Sequence, residues 1–344
     1  MSVTIYDVAT KAGVSFQLAS AVLGRKKYAR ASEATRKRIF DAARKLDYRS
    51  NTAAAILAGG QSRIIGVLID SRAPETMYSI LAEIEQLADR HGYRILSAQA
   101  HDQPEKLLSS YHSLKQTGVD GIISFSHDYS QFGCHLDQRL RDDPRIVFVI
   151  NTDESNISAV DVDIKGGIIA AAEHLRSRGY RKTALLLSGG KTLDTLPQSS
   201  RKRLEGFRLG CPDGEVFLLR APRFEISLLE KECRRLIREK LIPEKFDSAI
   251  ALNDFLAVVL MNQLMDAGVR IPQEFGVVGC DDLPISACFP IKLTTLRYDR
   301  AKLAHTALNI LLDKIAGNTD PVRKVFPMEL IIRESTCKNS RLKD

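Results

Sequence analysis

The stretch Thr4-Ile-Tyr-Asp-Val-Ala-Thr-Lys-Ala-Gly-Val-Ser-Phe-Gln-Leu-Ala-Ser-Ala-Val-Leu23 reads as two short helices joined by a tight turn. Thr4 and Asp7 have the spacing of a capping box at a helix start. Ile5, Val8, Ala9 and Ala12 then fall on one face, and Gly13-Val14 makes the turn. Ser15 is a good cap for the second helix, whose apolar stripe is Leu18, Ala19, Val22 and Leu23. That stripe leaves Phe16, Gln17, Ser20 and Ala21 outward. Downstream, Ser32 caps a third helix with Ile39, Phe40, Ala43 and Leu46 as its inner face. Two short helices with a glycine turn and a third that closes the core describe a helix-turn-helix unit.

Charge supports this reading by its position. The chain has 344 residues and a net charge of +8. Residues 1–63 hold 12 of the 50 Lys and Arg and 4 of the 42 Asp and Glu. That leaves 38 of each sign in residues 64–344, so the whole excess sits at one end. A basic module on a neutral body implies an anionic partner met by that end. Arg25, Lys26, Lys27, Arg30, Arg36, Lys37 and Arg38 are placed to contact phosphates, and base reading falls to the outward residues of the second helix. Charge alone favours a solvated face of a small bundle, since charge runs are usually just solvated. The order of short helix, glycine turn and Ser-capped helix separates the two.

The remaining composition excludes several classes. With 44% hydrophobic and 27% charged residues the chain can bury a core, and its length predicts two or three domains at roughly 100–200 residues each. Met1–Gly13 has no apolar run of the secretory kind, and stretches such as Phe255–Met261 fall far short of the ~20 residues of a membrane span. The six cysteines lack a CxxC pair, which favours reduced thiols in a cytoplasm.

From Ile64 onward short apolar runs alternate with helical stretches. Strands are expected at 64–69, 93–98, 119–125, 145–150 and 159–162, with helices near 76–91, 104–117 and 129–141. The order repeats with strands at 183–187, 215–219, 248–252 and 275–279 and helices near 166–178, 199–209, 225–240 and 254–267. Such alternation gives parallel sheets covered by helices. Two runs predict two Rossmann-like lobes with a cleft at the strand carboxyl ends.

Competing chemistry is weak. Gly190-Lys191-Thr192 ends like a phosphate-binding loop, but Leu185 stands where its first glycine belongs. The seven His show no metal spacing, and neither HExxH nor a Gly-x-Ser-x-Gly elbow occurs. No catalytic residue, metal or cofactor is therefore assigned. A solute-binding protein would share the body but needs a secretion signal and no helix-turn-helix. An α/β enzyme would need a catalytic constellation.

Thr4-Ile-Tyr-Asp-Val-Ala9, Ala12-Gly-Val-Ser15, Val22-Leu23, Ser32 with Thr35-Arg36, and Tyr48 with Asn51 resemble the headpiece of LacI/GalR family transcription repressors. The resemblance is dense over 4–66 and looser over the whole chain. It implies a sequence-specific regulator that binds a palindromic operator on double-stranded DNA as a homodimer, under a small-molecule effector such as a sugar or related metabolite. It implies three parts: a helix-turn-helix headpiece at 1–49, a hinge helix and linker at 50–63, and an effector-binding and dimerisation body of the periplasmic-binding-protein-like kind at 64–344. Phe16, Gln17 and Ala21 would face the major groove, Thr4, Tyr6 and Asn51 would hold phosphates, and Ser15, Ser20, Lys26 and Lys27 complete the DNA-binding set. Ala54 and Leu57 lie in the hinge, with Leu57 at the position of the minor-groove wedge. In the body, Arg201, Arg203, Asn253 and Asp281 match the family's cleft motifs by pattern, with Asp70 and Phe125 as further candidates.

The chain also departs from that family. Leu18-Ala-Ser-Ala21 replaces a usual Thr-Val-Ser-Arg, so an arginine that could read guanine is lost and the half-site should differ. Ser71–Tyr78 lacks the usual Asn-Pro-aromatic run, so a sugar-stacking pocket of the common kind does not carry over. The tail after Ile331-Ile332 is polar, without the leucine heptads of a tetramer helix.

Overall fold

This computed structural model describes residues 3–24, 29–48, 60–70, 73–100, 104–125, 136–150, 152, 154–188, 192–221 and 225–338. The chain divides into two compact units, Met1–Ser62 and Arg63–Asp344.

In the first unit, α1 (Ile5–Ala12) and α2 (Phe16–Leu23) are joined through Gly13, which takes a left-handed φ of 66°. The capping box is formed: the Thr4 amide donates to Asp7 Oδ2 at 2.8 Å and the Asp7 amide donates to Thr4 Oγ1. Ser15 and Ser32 cap α2 and α3 (Glu33–Lys45), accepting from the Leu18 and Thr35 amides at 3.2 Å. The core is built from Val8, Ala9, Ala12, Ala19, Val22, Ile39, Ala42 and Ala43, small side chains that let three short helices approach closely. Phe40, expected inside, is 40% exposed. Ile39, Ala42 and Ala43 already form the inward stripe, and Phe40 lies about 100° round the helix from Ile39.

In the second unit, the first lobe is laid down as β1 (Ile64–Ile69), α4 (Glu75–Arg90), β2 (Arg94–Gln99), α5 (Pro104–Thr117), β3 (Gly121–Ser124), α6 (Gln138–Arg141), β4 (Ile146–Val149) and β5 (Ala159–Val162). The second follows as α7 (Ile164–Ser177), β6 (Thr183–Ser188), α8 (Gln198–Gly210), β7 (Glu215–Leu219), α9 (Ile226–Leu236), β8 (Ser248–Ala251), α10 (Asp254–Asp266), β9 (Gly276–Cys280), α11 (Pro284–Cys288) and β10 (Thr294–Arg297). The helix expected over 129–141 is described only at Gln138–Arg141, because 126–135 lie outside the described residues. α9 runs on through a π-helical turn, Ile237–Leu241.

The chain then returns to both lobes. α12 (Arg300–Ile315) packs on α4 and the first sheet, and β11 (Arg323–Phe326) pairs in parallel with β5. β12 (Glu329–Ile331) pairs antiparallel with β10. The sheets therefore run β11-β5-β4-β3-β1-β2 and β12-β10-β9-β8-β6-β7, and the chain crosses between lobes three times. Periodicity did not reveal this exchange, because β11 and β12 are short and largely solvent-facing. Central strands such as β3, β4, β6 and β8 are buried along their length, as sheets covered on both faces require. Among the described residues no helix is long and apolar enough to cross a membrane.

α7 and α8 pack at a glycine contact, where a Cβ on Gly206 would meet the Lys165 carbonyl oxygen at 2.6 Å. Backbone cannot yield as a side chain does. Gly206→Ala should therefore lower stability by about 1–3 kcal/mol, read from the urea unfolding midpoint; an unchanged midpoint would show that the two helices are free to separate.

Candidate nucleic-acid interface and effector cleft

On the headpiece, Phe16, Gln17 and Ser20 are exposed along α2, and no acidic residue occupies its first turn. An uncompensated helix start of this kind favours an approaching anion. Phe16, 41% exposed, stacks on Tyr6, 61% exposed, with ring centroids 5.0 Å apart. Two water-exposed aromatic rings held face to face form a ready apolar contact surface. Thr4 and Ser15 are exposed, but both hydroxyls already serve their helix caps. Ala21 corrects the sequence reading: it is 8% exposed and packs inside the headpiece core. It flanks the inward stripe of Leu18 and Val22, and its methyl is small enough to be covered by that packing. Arg36 is likewise drawn inward, its Nη2 donating to the Ala29 carbonyl at 2.6 Å and closing the loop before α3. Arg30, Lys37 and Arg38 are exposed. Lys26, Lys27, Asn51, Ala54 and Leu57 lie outside the described residues.

In the body, the strand order reverses between β1 and β3 and again between β6 and β8. Such reversals open a crevice at the strand carboxyl ends. Asp70 follows β1 and is buried, its carbonyl accepting from the Tyr78 hydroxyl at 3.0 Å. Phe125 follows β3 and packs into the apolar core. Asn253, after β8, caps α10 through Oδ1, which accepts from the Leu256 amide at 2.9 Å. Its acceptor is thus already committed to the helix.

Arg203 and Asp281 meet through Cys280. Arg203 is buried on α8, with Nη1 donating to the Ser199 carbonyl at 3.1 Å and Nη2 3.4 Å from Cys280 Sγ. That sulfur is 3.8 Å from Asp281 Oδ1. Arg201 is half-buried one turn-face away on the same helix. Asp281 and Asp282 have φ of 108° and 47°, a left-handed pair at the end of β9. Non-glycine residues persist there only when their surroundings hold them, at a cost of about 1–3 kcal/mol each, and such strain gathers at ligand sites.

The holding groups were not visible in sequence. Arg300, at the start of α12, donates from Nη1 to the Asp281 carbonyl at 2.8 Å. Arg333 donates from Nη2 to Asp282 Oδ1 at 2.6 Å. Beneath them Asp254 is fully buried, accepting from the Leu283 amide at 2.7 Å and from the Thr295 hydroxyl. Gly279 makes that approach possible, since a Cβ there would lie 2.2 Å from Asp254 Oδ1. Arg300 and Arg333 stand 19 and 51 positions from their acceptors, beyond any local pattern. Asp254 stands next to Asn253 in the chain, so its neighbour was already marked in sequence.

Residues 4–51 match the family profile described as bacterial regulatory proteins, lacI family, and residues 172–336 match that of a periplasmic binding protein-like domain. Residues 4–51 thus carry a lacI-family regulatory domain, and the chain is similar to repressors of that family over nearly its whole length. It is 28% identical over 338 residues to the lactose operon repressor of Escherichia coli strain K12, covering 97% of this chain and 91% of that one. It is 25% identical over 337 residues to the HTH-type transcriptional repressor PurR of Haemophilus influenzae, covering 96% and 98%. A solved lac repressor dimer bound to operator and the anti-inducer ONPF aligns with a TM-score of 0.82 at 26% identity, over 98% of this chain and 99% of the other. The chain is thus a transcription regulator with a lacI-type helix-turn-helix and a two-lobed α/β body.

Burial pushes the Asp254 carboxyl up to about 7, against the hydrogen bonds that favour its charged form. Its folded pKa lies above its unfolded value, so its stabilising contribution is complete below about pH 4 and is lost as pH rises toward about 7. Asp254→Asn should flatten that slope, which is on the order of 1.4 kcal/mol per pH unit across the window. Urea midpoints at pH 5 and pH 8 measure it; an equal pH dependence in both proteins would remove Asp254 as its source.

Proposed function

We propose that this chain represses transcription as a homodimer on a pseudo-palindromic DNA operator, and that a small polar effector in the lobe cleft adjusts its hold. The observation that carries the DNA reading is the exposed row Phe16, Gln17 and Ser20 on α2, in the 63-residue segment that holds the entire positive excess. Phe16 offers apolar contact of the kind a thymine methyl accepts, and Gln17 offers the paired donor and acceptor that suit adenine. Ala21 takes no part in base reading. Arg30, Lys37 and Arg38, with Lys26 and Lys27, supply phosphate contacts, together with Thr4, Tyr6, Ser15 and Asn51.

The 50–63 segment, with Ala54 and Leu57, acts as the hinge, and Leu57 wedges into the minor groove. Residues 1–49 then form the headpiece and 64–344 the sensing and dimerising body. The lac repressor dimer that this fold matches is bound to operator and an anti-inducer, which favours the same division of labour here. Arg201, Arg203, Asn253 and Asp281 supply donors and acceptors suited to a polyhydroxyl or polar heterocyclic ligand, a sugar or related metabolite. Asp70 and Phe125 close the first-lobe side. The effector acts by binding two lobe arrangements unequally. The chain performs no turnover and works in the cytoplasm. A thermal-shift screen of candidate metabolites tests the cleft, and in-vitro selection of bound duplexes recovers the operator.

Affinity for that selected duplex should fall steeply with salt, by about a thousandfold or more between about 50 and 200 mM if six or more phosphates are neutralised. A flat titration would sink the DNA reading. Leu57→Ala should cost specific binding at least about tenfold while leaving non-specific binding nearly unchanged, because kinking is useful only where the sequence permits it. Equal losses on both DNAs would take Leu57 out of the wedge role.

A further inference from the structure

Asp161 lies near the end of β5, 2% exposed, in the first lobe. Its Oδ2 is 2.9 Å from Lys202 Nζ, which comes from α8 in the second lobe, and 3.1 Å from Arg323 Nη2 on β11. Its Oδ1 accepts from the Val162 amide at 2.9 Å. The Lys202 side chain is only 16% exposed, so both charges have left bulk water. Arg323 is anchored in turn to the Thr152 and Glu154 carbonyls.

The position of this cluster matters more than its strength. β5 leads directly into the first crossover between lobes, and β11 leads into the third. α8 is seated on α7 through Gly206, so Lys202 moves with the second lobe. Another buried pair, Arg333 with Asp282, stays inside the second lobe. Replacing a buried ion pair by apolar groups often costs little, but removing one partner strands a charge and is strongly unfavourable. Sliding α8 away from β5 would do the same, because it carries Lys202 off and takes that cation from Asp161. A pair of this kind therefore discriminates between lobe arrangements more than it adds to overall stability.

We propose that the Asp161–Lys202–Arg323 cluster is an interlobe latch, with Asp161 as the positioning residue that ties α8 to the first-lobe strands. Arg201 and Arg203 flank Lys202 on that helix. A ligand that engages them displaces or holds the latch directly, and this last step rests on reading the cleft as the effector site. Opening the latch frees the first and third crossovers together, since one carboxylate serves both strands.

The test is a double-mutant cycle on the full chain without ligand: Asp161→Asn, Lys202→Met, and the two combined. Amide hydrogen exchange is read at residues 162–164, at 326, 328 and 329, and over α8, with the urea midpoint followed in parallel. Each single variant should raise exchange at both crossovers about tenfold, and the double variant should add nothing further, as expected when both remove one interaction. Lys202→Arg should restore native rates, which a general loss of packing at position 202 would not allow. Should Asp161→Asn fail to fold, Lys202→Met against Lys202→Arg carries the comparison alone, because Lys202 is the more accessible partner. Unchanged exchange at the crossovers, strictly additive effects, or no rescue by Lys202→Arg would each overturn the latch. No effector enters this experiment, so a cleft that binds none of the screened metabolites would leave its outcome standing, and the reverse holds as well.

Discussion

Neither lobe of the body can be completed without the other. The edge strand of the first sheet, β11, and that of the second, β12, are consecutive in the chain and lie after both lobes have otherwise been built. With crossovers after β5, after β10 and between β11 and β12, the lobes share three short connections at one end. That leaves the carboxyl ends of the strands as the place where relative movement is felt. The left-handed Asp281-Asp282 pair, the buried Asp254 and the Asp161 cluster all sit at or near strand ends, where such movement would be registered.

The charges in this region divide into two kinds. Exposed pairs such as Arg270–Glu274 and Lys240–Glu244 join residues four apart on one stretch of chain and contribute little beyond local solvation. Buried charges instead tie distant segments together: Arg333 to Asp282, Arg300 to the Asp281 carbonyl, and Lys202 to Asp161. Burial makes each strong only in one geometry, since a displaced partner leaves an unsatisfied charge. A protein that must hold two arrangements and choose between them on a ligand's binding energy is well served by contacts of that type.

The headpiece follows a different logic. Its core is mostly alanine, so packing alone has little apolar area to work with, and local signals carry much of the specification. Three hydroxyl caps and a left-handed glycine define where the helices begin and turn. Those signals depend on neighbours three residues away, which is why they can be read directly. The misassigned residues, Phe40 and Ala21, sit at the boundary of an apolar stripe, where a single turn of helix decides exposure and the neighbouring helix makes the choice.

Much of the body was readable for a similar reason. Strands buried on both faces are continuous apolar runs, so β1, β4 and β6 stood out by themselves. Motif residues at strand ends, Arg203, Asn253 and Asp281, could be located, but not their bonding: Asn253 spends its acceptor on α10, and Arg203 and Asp281 both contact Cys280. The amino-acid sequence by itself determined the capped helices, the alternating strands and helices, and the confinement of positive charge to one end, because each rests on spacing or composition within a short window. Only the tertiary structure decided that β11 and β12 exchange between lobes, that Arg300 and Arg333 brace Asp281 and Asp282, and that Asp161 meets Lys202 across the lobes. Those pairings join residues tens of positions apart, and a buried charge shows its partner only after the chain has brought the two together.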